Sequence, residues 1–208
     1  MKLQKIDQLL LSDHFYLTES DKCFFLAEYT SQKDFSFSET NQLIYNLKKS
    51  LDKKNTSEWK YKLEAIETYG KLISKVFTNK NISKYVFVPI PPSKCRTDLL
   101  FDNRLVQILE FANKQESTLN QFNIKELISL KRSTIPSHRN KRGRPSPSEL
   151  EELYDIDESK LYDKPKGFVI FDDVITTGSH FKAVQNMLNA LYPDIEIYGF
   201  FIARRNFV

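Results

Sequence analysis

The sequence predicts an α/β protein: a central parallel sheet with helices on both faces, preceded by a small N-terminal extension. Three observations lead there. Short apolar runs rich in β-branched and aromatic residues recur at 84–90 (KYVFVPI), 167–171 (GFVIF) and 195–203 (IEIYGFFIA), as buried strands require. Stretches of helical spacing lie between them. The resulting order of strand, loop, helix and strand is that of βαβ units, whose crossovers are right-handed and whose strands are parallel. A chain of 208 residues suits one domain. Residues 1–57 read as an α/β extension and 58–208 as the core.

Taken in order, residues 20–30 (SDKCFFLAEYT) read as a strand. A turn at 35–41 enters a helix capped by Ser38 or Thr40, with Leu43, Ile44, Leu47 and Leu51 as its apolar face. The polar run 52–57 separates it from a longer helix over 58–77. There Trp59, Leu63, Ile66, Tyr69, Leu72, Ile73 and Val76 form the expected core stripe. The strand at 84–90 ends in prolines, which cannot continue a ladder. Helical spacing resumes at 103–111 through Leu105, Ile108 and Leu109. Residues 124–132 form another short element. Residues 134–148 (TIPSHRNKRGRPSPS) are rich in Pro, Gly and Ser and read as a mobile loop. Residues 149–157 form a helix or a strand edge. The strand at 167–171 then leads into a helix carrying Phe181, Val184, Met187, Leu188 and Leu191, and 195–203 is the last strand.

The most informative stretch is 169–181, VIFDDVITTGSHF. Asp172 and Asp173 sit where the strand is expected to end, followed by the turn Thr176-Thr177-Gly178-Ser179 and then a helix. Ligands of open α/β sheets bind at the carboxyl ends of strands. A turn feeding a helix N-terminus presents free N–H groups and the positive end of the dipole, which suits a phosphate. Paired carboxylates accept hydrogen bonds from vicinal hydroxyls or stand near a magnesium ion. A phosphate at one end and a diol at the other describe a ribose 5-phosphate. The competing reading is an ordinary strand–turn–helix corner in which the acids only cap or solvate the strand end.

This stretch closely resembles the signature of the type I phosphoribosyltransferases, which use 5-phosphoribosyl-1-pyrophosphate with Mg2+. The resemblance implies that Asp172 and Asp173 face the ribose hydroxyls, as the catalytic acids and the indirect holders of magnesium. It implies that Thr176, Thr177, Gly178, Ser179 and His180 wrap the 5-phosphate. His180 departs from the Thr common at that position, which keeps a backbone contact and loses a hydroxyl. In the same family the loop after the first core strand binds pyrophosphate, which places Lys94, Arg96 and, from the later basic loop, Arg139 in that role. The order of a VPIP strand end, a basic loop, FDNR, LKRST, a second basic loop and DDVITTG resembles the ComF-like, amidophosphoribosyltransferase-related branch over about residues 82–205. The cysteine-rich zinc segment common in that branch is lacking, since residues 1–57 hold only Cys23.

The implied reaction is displacement of pyrophosphate from ribose C1 by a nitrogen nucleophile of unknown identity. Thr176 stands where hypoxanthine-type enzymes carry an acid, which argues against that substrate class. A non-catalytic protein that senses a ribose phosphate or binds nucleic acid is the alternative. Lys131, Arg132, Arg139, Lys141, Arg142 and Arg144 fall in one segment, and three uses fit it: a solvated loop, a hood over pyrophosphate, or a nucleic-acid contact. A homodimer or a partner protein is open. The net charge of +4 permits anionic ligands without demanding them. No apolar stretch approaches the ~20 residues of a membrane helix, and the N-terminus lacks the apolar core of a signal peptide. The expected compartment is the cytoplasm, with Cys23 and Cys95 as free thiols. His14, His138 and His180 are too scattered for a metal cluster.

Overall fold

The structure, a computed structural model, describes residues 2–78, 81–115, 120–134, 144–161 and 164–206. Its centre is a six-stranded sheet. From edge to edge it runs β1 (Gln4–Lys5), β2 (Lys22–Thr30), β8 (Glu196–Asn206), β7 (Gly167–Ile175), β3 (Tyr85–Pro89) and β4 (Asn123–Ile124). Only β1 pairs antiparallel; the other four pairings are parallel. The three core strands expected from sequence therefore lie side by side and parallel, with Val88 opposite Ile170 and Ile170 opposite Gly199. The helices are α1 (Glu39–Leu47), α2 (Trp59–Phe77), α3 (Arg104–Asn113), α4 (Pro147–Leu153) and α5 (Ser179–Leu191). A separate antiparallel pair joins β5 (Ile128–Leu130) to β6 (Tyr154–Ile156).

Successive side chains of a strand point to opposite faces, and aromatic rings mark both. On one face Phe77 of α2 meets Phe87 and Phe200 edge-on, and Phe171 stacks on Phe200 at 5.4 Å. On the other, Phe181 of α5 meets Phe201, and Phe168 meets Tyr192 just beyond α5. Helix α3 packs on α2, and α4 packs on α5.

Three features differ from the sequence reading. Strand β7 runs past both acids to Ile175, because β8 continues beside it through the pair Ile175–Arg204. Strand β2 pairs with β8 from Lys22–Tyr198 to Thr30–Asn206, so residues read as an extension complete the central sheet. The buried face of α2 is centred on Lys62, Ala65, Ile66, Tyr69 and Ile73, while Leu63 is exposed. A lysine occupies that face because its charge is fully partnered, as described below. The remaining elements fall within a few residues of expectation; Ser38 is the cap of α1, accepting from the N–H of Asn41 at 3.1 Å.

The connections create a crevice. After β3 the chain crosses through α3 to β4 on one side, and after β7 it crosses through α5 to β8 on the other. The strand order thus reverses direction between β3 and β7. In open α/β sheets this switch point, at the carboxyl ends of the strands, is where ligands bind.

Candidate functional site

Asp172 and Asp173 lie on β7 at the mouth of this crevice. Because the strand continues through them, strand alternation sends their side chains to opposite faces. Asp173 is 4% exposed and faces the α1–α3 side. Its Oδ2 accepts from Arg104 Nη2 at 2.8 Å and Nε at 3.2 Å, and its Oδ1 lies 2.9 Å from Lys48 Nζ. Arg104 also donates to Asp102 Oδ2 at 2.9 Å, and Lys62 donates to the same oxygen at 2.7 Å. Lys62 is wholly buried and caps the end of α1 through the carbonyls of Leu47 and Lys49 at 2.7 and 2.9 Å. The result is a chain of charges, Lys48–Asp173–Arg104–Asp102–Lys62. Lys48 and Arg104 hold the Asp173 carboxyl well below the usual carboxylate range, against the opposing effect of its burial.

Asp172 faces the other side and is half-buried. One of its oxygens accepts the N–H of Asp173 at 2.7 Å. Burial, and then the adjacent Asp173, push its carboxyl up to about 7. Two neighbouring acids thus differ in kind: one is a locked anion, and the other is poised to ionise when positive charge arrives.

The turn after β7 places Gly178 at the N-cap of α5 with φ of +84°. This left-handed conformation is open to glycine and strained for other residues. Among the described residues no side chain caps the helix, and a helix N-terminus of this kind suits an anion. Thr176, Thr177 and Ser179 bring their hydroxyls there, and Thr177 Oγ1 lies 3.4 Å from Ser179 Oγ. Residues 14–17 brace this turn from outside. His14 Nδ1 donates to the Thr176 carbonyl, Tyr16 N–H donates to the Thr177 carbonyl at 2.8 Å, and Leu17 packs where a Gly178 Cβ would stand. His180 Nδ1 accepts from the buried Tyr154 hydroxyl at 2.5 Å. Burial, then the nearby Arg144, lower the His180 ring to about 4, so it is neutral at physiological pH. Arg144 donates to Thr176 Oγ1.

The loop after β3 begins level with the acids, since Ile90 N–H donates to the Phe171 carbonyl at 2.9 Å. Lys94 and Arg96 are both on it, and both are paired with carboxylates. Lys94 Nζ lies 3.6 Å from Asp98, and Arg96 Nη2 lies 2.7 Å from Glu126. The basic segment is tied to this loop at its first end. Thr134 N–H donates to the Ser93 carbonyl at 2.7 Å, and Ser133 Oγ donates to Asp98 at 2.8 Å. Its second end, Arg144, reaches the 176–180 turn. Arg139, with His138, Lys141 and Arg142, lies outside the described residues.

The structure places Asp172, Asp173 and the 176–180 turn at the carboxyl end of β7 and the 91–98 loop after the adjacent β3, with Asp172 and Asp173 on opposite faces of the sheet. Sequence reasoning missed Lys48, Asp102, Arg104, Lys62, His14 and Tyr154. The FDNR motif at 101–104 was the one available signal, and it reads as a helix entry until Asp173 is seen beside it. Among the described residues no group of three or more His, Cys, Asp and Glu side chains gathers as for a metal cage, and no helix is long and apolar enough to cross a membrane. No protein-family model and no curated protein matches this chain.

Proposed function

We propose that this protein is a phosphoribosyltransferase of the type I, ComF-like kind. It would take 5-phosphoribosyl-1-pyrophosphate and pass the phosphoribosyl group to a nitrogen base. The observation that carries the reading is the uncapped helix N-terminus at Gly178, one turn of chain from Asp172 at the strand switch point. The turn supplies the N–H groups and hydroxyls for a 5-phosphate, and the half-buried Asp172 supplies a carboxylate for the ribose.

In the reaction the bond from C1 to the pyrophosphate oxygen breaks, the nitrogen lone pair forms the new bond to C1, and the nitrogen loses its proton. The transition state carries positive charge on the sugar, so no enzyme nucleophile is needed. Catalysis rests on position and on charges aimed at that centre. Asp172 is suited to this, because it is half-buried at the carboxyl end of β7 and a positive ribose favours its ionised form. His180 remains a neutral partner of Tyr154 beside the phosphate. Magnesium binds through few carboxylates and keeps several waters. Asp172 fits as its protein contact better than Asp173, whose two oxygens are taken by Lys48 and Arg104. Bound there with pyrophosphate, the ion would neutralise the leaving group.

A second reading, ribose-phosphate binding without transfer, is favoured by one observation. Lys94 and Arg96, the cations of the loop expected to hold pyrophosphate, are already paired with Asp98 and Glu126. One assay separates the two. Pyrophosphate release from phosphoribosyl pyrophosphate is measured with Mg2+ and a panel of nitrogen bases, on the parent and on Asp172→Asn. The enzyme reading expects base-dependent release that falls by about two orders of magnitude or more in the variant, as when a group aimed at transition-state charge is removed. Tight binding with no release for any base would replace it by the second reading.

A further inference from the structure

We propose that Lys48, contributed by the segment ahead of the core strands, is a diphosphate-binding residue of this site, its ammonium exchanging Asp173 for the bound anion. The assignment rests on the phosphoribosyl pyrophosphate reading of the crevice for the identity of the ligand, though not for the existence of an anion site.

Arg104 holds Asp173 through two donors on one carboxylate oxygen and spends a third on Asp102. Lys62 spends its ammonium on Asp102 and two backbone carbonyls, with no exposure. These two cations balance Asp102 and Asp173, and their geometry is locked. Lys48 is the surplus cation of the cluster. Among the described residues its ammonium has one ion-pair partner, Asp173 Oδ1 at 2.9 Å, and its side chain is 37% exposed while that of Asp173 is 5% exposed. It sits at the C-cap of α1, and its flexible stem carries the ammonium to Asp173 at the carboxyl end of β7. Its charge is felt by Asp172 and His180, on the far side of β7, as well as by Asp173. Lys48 can therefore leave Asp173 without stranding it, since Arg104 stays. Lys94 and Arg96 are also paired, with the half-buried Asp98 and Glu126, and among the described residues neither carboxylate has a second cation to keep it when the first leaves.

The test is titration calorimetry of the full chain with inorganic pyrophosphate, and separately with phosphoribosyl pyrophosphate, on the parent, Lys48→Gln and Lys48→Arg. A charge-assisted bond to phosphate is worth about a tenfold to hundredfold in affinity. Lys48→Gln should raise the pyrophosphate Kd by about that factor, and Lys48→Arg should restore most of it. The melting temperature should move little, because Asp173 keeps Arg104. Protection of Lys48 from an amine-acylating reagent by pyrophosphate in the parent provides a readout that does not depend on the variants folding. An unchanged Kd in Lys48→Gln, an absence of protection, or no pyrophosphate binding by the parent would each overturn the assignment. Lys48-dependent pyrophosphate binding without any binding of phosphoribosyl pyrophosphate would keep Lys48 in its role and remove the sugar phosphate from the site.

Discussion

Replacing Gly178 with valine tests the phosphate turn on stability and binding together. The backbone there has φ of +84°, and holding a non-glycine residue in that region costs about 1–3 kcal/mol. A Cβ would stand 2.9 Å from Leu17 Cδ2 and 3.0 Å from Leu17 Cγ. Leu17 is buried, so relieving that contact disturbs packing at a further cost of about 1–3 kcal/mol. Gly178→Val should then lose about 2–6 kcal/mol, which for a chain of this size lowers Tm by roughly 4–24 °C. Gly178→Asn accepts the left-handed backbone more easily and should lose less, with Gly178→Ala between them. Thermal unfolding followed by circular dichroism measures the order. Below the variants' melting temperatures, calorimetry should show the affinity for phosphoribosyl pyrophosphate reduced by about tenfold or more as N–H contacts to phosphate are lost. A valine variant that melts within about 2 °C of the parent and binds equally well would refute both the strain argument and the placement of the phosphate.

Other consequences follow from the same charges. Arg104→Met leaves Asp102 to Lys62 and Asp173 to Lys48, so it removes charge-assisted hydrogen bonds without stranding either carboxylate and should cost about 1–3 kcal/mol; denaturant unfolding with no measurable loss would contradict this. For Asp172 the folded carboxyl is raised to about 7 from an ordinary value of 3.8, so between those values the folded state holds a proton that the unfolded state has lost. Its contribution to stability is therefore lost as pH rises through that window. In EDTA, Asp172→Asn should raise Tm relative to the parent at pH 8 and not at pH 4; equal differences at both would show that the group is not perturbed. Cys95 has its thiol pulled down to about 7 by hydrogen bonds from Ser133 and Thr97, whereas burial pushes Cys23 up. Iodoacetamide at pH 7.5 should modify Cys95 far faster than Cys23, with Ser133→Ala slowing it, and mass spectrometry that finds equal rates would overturn this.

The parts legible in the sequence are those whose physics is local. Residues 167–171 are apolar without interruption, Gly178 marks the turn, and Phe181, Val184 and Leu188 repeat at helical spacing; together they announce strand, turn and helix. The extension of β7 through Asp172 and Asp173 was not legible, because two carboxylates ordinarily end a buried strand. It becomes possible through Arg104 and Lys48, which are distant in sequence. Lys62 looks like a solvated helix residue until its carbonyl partners at the end of α1 are seen. His14 gives no local sign that it braces the Thr176 carbonyl 162 positions away. Residues 1–57 carry no signature, yet they provide two strands of the central sheet, the brace for the turn and Lys48.

The most direct test of the account is a crystal structure of the protein soaked with phosphoribosyl pyrophosphate and Mg2+. The account predicts the 5-phosphate on the N–H groups of residues 177–180, the ribose hydroxyls toward Asp172, and the diphosphate between Lys48 and the 91–98 loop. A ligand bound elsewhere, or a phosphate turn left without phosphate at saturating ligand, would contradict it.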